Sequence, residues 1–202
     1  PSRVNDKMLS FTYERRFEGH PAYTELWGIR KSIREMGNRM RKSSYSEREA
    51  ARSRINHLRE RATELEIQIN EDLFSGARVI ASTLVSSNHR ILTGRRFTTL
   101  FIDEAAQALE AACWIAIRKA DRVIFAGDHC QLPPTIKCIE AARNGLEQTL
   151  MEKVAANKQE TVSLLKVQYR MHQSIMQFSS EWFYQGELQA APEVTNRGIL
   201  DL

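Results

Sequence analysis

The stretch Leu100-Phe101-Ile102-Asp103-Glu104 is an apolar run that ends on two acids, which predicts a strand with carboxylates at its end. A second apolar run, 122–126, ends on Gly127, 24 residues beyond Asp103. Residues 105–119, between the two runs, carry alanine and leucine at a density typical of a helix. Strands that alternate with helices favour a parallel sheet with right-handed crossovers, in which ligands bind beyond the carboxyl ends of the strands.

The same alternation extends over residues 77–190. Short apolar runs at 78–81 and 162–167 predict two more strands, and residues 136–154 and 172–184 are expected to be largely helical. The fold class predicted for this part of the chain is therefore α/β, with polar clusters at the strand ends.

Residues 21–76 have the pattern of two amphipathic helices. Apolar residues recur there every three or four positions in two series: Leu26, Ile29, Ile33, Met36 and Met40, then Ile55, Leu58, Ala62, Leu65 and Ile69. The spacing predicts an antiparallel helical hairpin whose apolar seam is a packing surface. Gly76 follows the second series, where a helix is expected to end.

Charge is distributed unevenly along this hairpin. Residues 29–61 contain eleven Lys or Arg and four Glu, whereas residues 62–75 contain four acids and no base. The basic tip is either a solvated helix surface or an arm that contacts nucleic-acid phosphates, since clustered Lys and Arg displace the counterions of such a backbone. The candidate contacts are Arg39, Arg41, Lys42 and Arg48.

The composition excludes several classes of protein. The chain has 202 residues, 42% hydrophobic and 27% charged, so it is neither wholly disordered nor collagen-like. It has no apolar run of about 18 residues, the length that a membrane-spanning helix needs. Three cysteines, an odd and sparse set, favour a reducing, intracellular compartment over secretion. Because the chain begins with Pro1-Ser2-Arg3-Val4, we expect it to be an internal piece of a longer protein.

Three segments carry residue types that can act on a phosphate. A carboxylate fixed after a strand, such as Asp103, can hold Mg²⁺, and the adjacent Glu104 can polarise a water molecule. Asp128 and Gln131, after the next apolar run, can bridge a phosphate-bound water. Arg170 can neutralise charge on a transferred phosphoryl group. Taken singly, such segments are more often ordinary loops or surface arginines.

Together, the order and spacing of these segments resemble motifs II, III and IV of superfamily 1 helicases, in the branch of the nonsense-mediated-decay helicases. The matching segments are Ile102 to Glu110, Ala126 to Thr135 and Val167 to Gln173. The resemblance continues through residues 183–188 and reaches back to residues 1–4. It thus covers nearly the whole chain, although the hairpin is similar only in kind.

The resemblance implies a RecA-like P-loop NTPase fold that binds ATP and Mg²⁺. It implies that Asp103 coordinates Mg²⁺ and that Glu104 activates the attacking water. Gln131 is then the sensor of the γ-phosphate, Asp128 lies beside the nucleotide, and Arg170 is an arginine finger.

The same resemblance implies a channel for single-stranded DNA or RNA. The hairpin would be the helical subdomain that this family inserts beside the channel. The residues expected to face nucleic acid, in addition to the four basic residues of the hairpin tip, are Ser82, Thr83, Pro134 and Thr135.

The chain departs from the family pattern, because it contains no Gly-x-x-x-x-Gly-Lys-Ser/Thr loop to cradle the phosphates, and we expect the later motifs of the second RecA-like domain to lie outside it. We therefore expect a partial RecA-like sheet and, for the isolated chain, no useful rate of ATP hydrolysis. The expected division is a linker with the start of the first RecA-like domain (1–20), the hairpin insertion (21–76), the second half of that domain (77–160) and the start of the second RecA-like domain (161–202).

The predicted function is that of a segment of an ATP-dependent helicase or translocase, a monomeric motor that moves on single-stranded nucleic acid and needs no membrane. The alternative is a catalytically silent module that binds nucleic acid or a partner on a helicase fold. A parent protein without the phosphate loop would favour the alternative. The enzyme is favoured because the four catalytic positions present in this chain carry the residue types that catalysis needs. These residues are Asp103, Glu104, Gln131 and Arg170.

Overall fold

The computed structural model describes residues 6–40 and 45–198, which belong to two compact units, residues 1–81 and residues 82–202. The first unit is helical and consists of α1 (Asp6–Leu9), α2 (Tyr13–Glu18), α3 (Tyr23–Met40) and α4 (Tyr45–Ser75). In the part of the chain that the structure describes, no helix combines the length and the apolar character needed to cross a membrane.

Helices α3 and α4 pack through the apolar series that the sequence predicts. Leu26 of α3 is fully buried in a cluster with three residues of α4, which are Ala62, Leu65 and Ile69. An exposed ion pair also joins the helices, with Arg61 Nη2 3.0 Å from Glu25 Oε1. Exposed pairs contribute about 0–1 kcal/mol, so the buried apolar cluster is the main link between the two helices. Helix α4 ends immediately before Gly76, as predicted.

The second unit alternates strands and helices. Its elements are β1 (Leu100–Ile102), α5 (Glu110–Ile117), β2 (Val123–Phe125), α6 (Ile139–Ala141), α7 (Leu150–Asn157), β3 (Val167–Gln168), α8 (Gln173–Phe183), β4 (Gln189–Ala190) and α9 (Pro192–Thr195). Short 3₁₀ segments at 85–88, 90–92, 105–107 and 159–161 complete the described elements, together with a kinked turn at 142–146.

The strands of this unit form two parallel pairs. In the first pair β1 lies beside β2, with Ile102 opposite Phe125. In the second pair β3 lies beside β4, with Val167 opposite Gln189. Each crossover contains a helix, as parallel neighbours require. The predicted parallel α/β arrangement is therefore confirmed for these strands, and the core beneath the first pair is formed by Ile102, Ala105, Cys113 and Leu150.

Two predicted strands are wrong in whole or in large part. Residues 78–81 form no strand, and Val79 is 85% exposed. In the predicted strand 162–167, only Val167 is in a strand, and Leu165 is 86% exposed. An apolar run becomes a strand only where a neighbouring strand satisfies its backbone N–H and C=O groups. Within the described residues, the run 78–81 has no such neighbour, and the run 162–167 has one only at its end, where β4 lies beside it.

Two predicted helices are shorter than expected. The helix predicted for 105–119 begins only at Glu110, because Ala108 and Leu109 adopt extended backbone angles after a single 3₁₀ turn. The helix predicted for 136–154 is interrupted at Gly145, whose φ of 95° lies in the left-handed region. The helix predicted for 172–184 is confirmed as α8.

Two isoleucines of α4 test the buried cluster. Ile69 is completely buried and Ile67 is 58% exposed on the same helix. We expect Ile69→Ala to lower the free energy of unfolding of this helical unit by about 2–5 kcal/mol, because it leaves a cavity. Ile67→Ala should change it by less than about 1 kcal/mol. Urea unfolding monitored by circular dichroism measures both, and equal effects would contradict the packing described here.

Candidate active site

The carboxyl end of β1 holds two exposed acids in a strained turn. The Glu104 N–H donates to Asp103 Oδ1 at 3.0 Å, and Gln107 Nε2 donates to Glu104 Oε2 at 3.1 Å. Glu104 has φ 50° and ψ 40°, which is the left-handed region. This conformation costs a non-glycine residue about 1–3 kcal/mol and clusters at functional sites. The turn therefore holds a carboxylate in a fixed direction at the strand end.

The carboxyl end of β2 lies directly against this turn. The Ala105 N–H donates to Ala126 O at 2.9 Å, so the chain after β2 touches the chain after β1. A Cβ atom on Gly127 would lie 2.9 Å from the Ala105 nitrogen and 3.1 Å from the Ala106 nitrogen. Because these are backbone atoms, only glycine allows this approach. The two polar segments of the sequence are thereby brought to one edge of the sheet, as predicted from parallel strands.

The loop after Gly127 is organised around the carboxylate of Asp128. Its Oδ1 accepts the Cys130 N–H at 3.0 Å, and its Oδ2 accepts Gln131 Nε2 at 2.8 Å. The hydroxyl of Tyr184, from the end of α8, also donates to Oδ2. One carboxylate thus fixes both the course of the loop and the direction of the Gln131 side chain.

These hydrogen bonds favour the ionised form of the Asp128 carboxylate. Partial burial acts to raise the pKa of Asp128, but the bonds from Tyr184, Gln131 and Cys130 outweigh burial and lower this pKa. The stabilisation that the ionised Asp128 provides is therefore complete above the ordinary aspartate pKa of about 3.9, and it is lost as the pH falls through the lowered value. Burial and the charge of Asp128 both raise the pKa of the Cys130 thiol, so it stays protonated at neutral pH.

Three consecutive residues of this loop bear atoms that can ligate a metal. Asp128, His129 and Cys130 place these atoms within 4.8 Å of one another. Both carboxylate oxygens already accept hydrogen bonds, and a protonated thiol is a poor metal ligand. The cluster is therefore better explained as the framework of the loop. For Mg²⁺, which prefers oxygen ligands, the exposed carboxylate of Asp103 is the better donor.

The segment after β3 is folded by the side chain of Gln168. Its Oε1 accepts the backbone N–H groups of Arg170 at 2.8 Å and of Met171 at 2.9 Å, and its Nε2 donates to Met171 O at 2.7 Å. His172 then caps α8, since its Nδ1 accepts the Ser174 N–H at 3.0 Å. The side chain of Arg170 is left exposed on this fixed loop.

The residues expected to face nucleic acid are in varied surroundings. Thr83 and Ser86 bond to each other at the start of a 3₁₀ turn, with their oxygens 2.8 Å apart, and Ser82 is exposed beside them. Pro134 is buried, whereas Thr135 is exposed. Arg39 lies in the last turn of α3 and Arg48 in the first turns of α4, and both are exposed. Arg41 and Lys42 lie outside the described residues, as do residues 1–4.

The structure thus brings Asp103 and Glu104 to the same sheet edge as Asp128 and Gln131, and it places Arg170 on a separate loop after β3. Two organising residues are absent from the sequence-based predictions. Gln168 acts within its own loop, and no sequence pattern marks a glutamine for that role. Tyr184 acts on a residue 56 positions away, a contact that only the folded chain reveals.

Comparison of the sequence with models of known protein families identifies the family of this chain. A family model described as an AAA domain matches residues 3–138, which is more than half of the chain, and a second AAA-domain model matches residues 146–200. The chain belongs to the AAA-domain family of superfamily 1 helicases, as its motifs predict. This family has a RecA-like P-loop fold, to which the parallel strands of the second unit conform.

Individual relatives are similar over much of the chain. DNA-binding protein SMUBP-2 of Mesocricetus auratus is 38% identical over 180 residues, which cover 86% of this chain and 18% of that protein. DNA polymerase alpha-associated DNA helicase A of Saccharomyces cerevisiae is 36% identical over 79% of this chain and 26% of its own length. The Drosophila melanogaster regulator of nonsense transcripts 1 homolog is 41% identical over 58% of this chain and 10% of its own length. This chain therefore spans about a tenth to a quarter of the length of these three relatives.

The close approach at Gly127 can be tested with two glycine substitutions. Gly127→Ala should lower the free energy of unfolding by about 1–3 kcal/mol, because the added Cβ meets two backbone nitrogens. Gly28→Ala in α3 is the control. Its added Cβ atom has no atom of the surrounding structure within 4 Å, and alanine should stabilise the helix by up to about 1 kcal/mol relative to glycine. Thermal unfolding compares the two, and an unchanged stability of Gly127→Ala would refute the close approach of the two strand ends.

Proposed function

We propose that this chain is a segment of an intracellular ATP-dependent helicase, a monomeric motor that moves along single-stranded DNA or RNA. The observation that carries the proposal is the meeting of two polar strand ends at one edge of a parallel sheet, in a family whose relatives include named DNA helicases. In this proposal the domains are those predicted from the sequence, with the helical hairpin (21–76) inserted into the first RecA-like domain (77–160) and the second beginning at 161. The isolated chain, which lacks a phosphate loop, has no useful turnover.

The residues at the end of β1 suit ATP hydrolysis. Asp103 offers exposed carboxylate oxygens, the ligands that Mg²⁺ prefers, and Mg²⁺ when bound would neutralise charge on the phosphates. Glu104 is the general base, which accepts the proton of the attacking water. The hydrogen bond from Gln107 and the strained backbone hold its carboxylate in one direction. Such pre-orientation is what a base acting on a single water requires.

Two further residues would respond to the nucleotide. Gln131, held by Asp128, would contact the γ-phosphate and couple its presence to the binding of nucleic acid. Arg170, exposed on the loop that Gln168 fixes, would neutralise charge on the transferred phosphoryl group. A helicase cycle needs both, because hydrolysis must change the contact between two domains.

The basic tip of the helical hairpin would bind the backbone of the nucleic acid. Arg39 and Arg48 are exposed near the junction of α3 and α4, and cations in such positions displace counterions from phosphates. We also propose that Ser82, Thr83, Pro134 and Thr135 of the second unit contact nucleic acid, with Pro134 acting from its buried position as a support. DNA and RNA have the same phosphate groups, so phosphate contacts alone allow either as the substrate.

The general base is tested by Glu104→Gln in the full-length protein. We expect nucleic-acid-stimulated ATP turnover to fall about 10²–10⁴-fold, because the amide cannot accept the proton. Glu140→Gln, the same change at an exposed position of α6, should leave turnover as it is. If wild type and Glu104→Gln both bind nucleic acid and neither hydrolyses ATP, the proposal fails in favour of a silent binding module.

The basic tip is tested by charge reversal. Arg39→Glu with Arg48→Glu should weaken binding of single-stranded nucleic acid and reduce the slope of log affinity against log salt by about 0.7 for each phosphate that the variant no longer neutralises. Arg16→Glu, on the exposed surface of α2, is the matched control. Fluorescence anisotropy at several salt concentrations measures the slope, and an unchanged slope in the double variant would remove the tip from the interface.

A further inference from the structure

The end of α8 touches the loop of Asp128 at two adjacent points. The Tyr184 hydroxyl donates to Asp128 Oδ2, and the Cys130 Sγ lies 3.9 Å from Phe183 O as a weak donor. These are contacts between segments more than 50 residues apart in sequence. They connect the loop after β2 with the helix that follows the Arg170 segment.

The position of Tyr184 is fixed by the turn that ends α8. The Tyr184 and Gly186 N–H groups both donate to Ser180 O, at 3.0 and 2.8 Å, and the Leu188 N–H donates to the Ser180 hydroxyl at 3.0 Å. Gln185 and Gly186 adopt the left-handed backbone that such a turn requires. Tyr184 itself is only partly exposed. Its hydroxyl is therefore presented to Asp128 by a turn with several internal hydrogen bonds.

Asp128 Oδ2 is shared between Tyr184 and Gln131. Both donors reach the same oxygen, so the direction in which the carboxylate points sets the direction of the Gln131 amide. Burial and the hydrogen bond to Asp128 raise the pKa of Tyr184, which keeps its hydroxyl a donor across the physiological pH range. Loss of this donor would release one side of the carboxylate and with it the orientation of Gln131.

The two ends of α8 thus have different roles. Its first turn is capped by His172 and follows the loop that bears Arg170, while its last turn presents Tyr184 to Asp128. An eleven-residue helix is about 16.5 Å long at 1.5 Å per residue, so this one helix spans the distance between the two contacts. A displacement of α8 as a rigid unit would therefore reach both the Arg170 loop and Asp128, which holds the Gln131 side chain.

We propose that Tyr184 is a positioning residue that orients Gln131 through Asp128, and that it links the position of α8 to the response of the ATP site to nucleic acid. The proposal rests on the proposed function, since Gln131 is there the residue that contacts the γ-phosphate. It assigns a specific role to a tyrosine that lies outside the three catalytic segments.

The test compares Tyr184→Phe with Tyr13→Phe in the full-length protein. Each variant removes one tyrosine hydroxyl that donates to a side-chain oxygen, that of Asp128 or that of Asn70. We expect Tyr184→Phe to reduce the ratio of nucleic-acid-stimulated to basal kcat by at least about fivefold, the low end of couplings between sites, with KM for ATP little changed. Tyr13→Phe should leave the ratio at the wild-type value.

The same substitution made in a protein that carries Gln131→Ala shows whether Tyr184 acts by positioning Gln131 or through a general effect on the structure. If Tyr184 acts through Gln131, Tyr184→Phe should change the ratio no further in a protein that already carries Gln131→Ala. An unchanged ratio for Tyr184→Phe alone would overturn the proposal. So would an equal fall in basal and stimulated kcat, or a full additional loss in the Gln131→Ala background.

Amide hydrogen exchange tests the role of Tyr184 without any measurement of ATP turnover, so the two proposals can fail independently. If the wild-type protein shows no nucleic-acid-stimulated turnover, the proposed function fails, but the Cys130 N–H still donates to Asp128 Oδ1. Tyr184→Phe should then speed exchange at the Cys130 amide, while Tyr13→Phe leaves it as it is. Equal exchange in Tyr184→Phe and wild type would overturn the positioning role.

Discussion

Parallel pairing of β1 with β2 is the constraint from which the candidate site follows. The pairing places Ile102 opposite Phe125, so the acids after β1 and the loop after β2 leave the sheet at the same edge. Gly127 then lets the two backbones approach to a distance at which no Cβ atom fits. The parallel pairing and this one glycine therefore suffice to bring the acids after β1 next to the loop after β2.

The second level of organisation depends on one partly buried charge. Desolvation of the Asp128 carboxylate is unfavourable unless hydrogen bonds compensate for it. Donors from its own loop and from Tyr184 outweigh this cost, as the lowered pKa indicates. The same carboxylate holds Gln131 in place. Electrostatic compensation at Asp128 and the orientation of a residue proposed to contact the nucleotide are therefore one arrangement and change together.

Sequence patterns predicted the local features and missed those that depend on the folded chain. The strand ends at Asp103 and Gly127 and the helix α8 were predictable from apolar periodicity and flanking polar residues. The strand predicted for 78–81 was wrong because its apolar residues have no neighbouring strand within the described residues. The role of Tyr184 was out of reach, since nothing in its local sequence specifies a partner 56 positions away. Propensity describes a segment, whereas pairing and side-chain partners are properties of the whole fold.

The most direct test is a crystal structure of the full-length protein with Mg²⁺ and a non-hydrolysable ATP analogue. We expect the metal to lie about 2.1 Å from an Asp103 oxygen or from a water that Asp103 holds, with the γ-phosphate beside Glu104 and Gln131. A nucleotide bound away from the edge where β1 and β2 end, and out of contact with these three side chains, would show that this edge is not the ATP site.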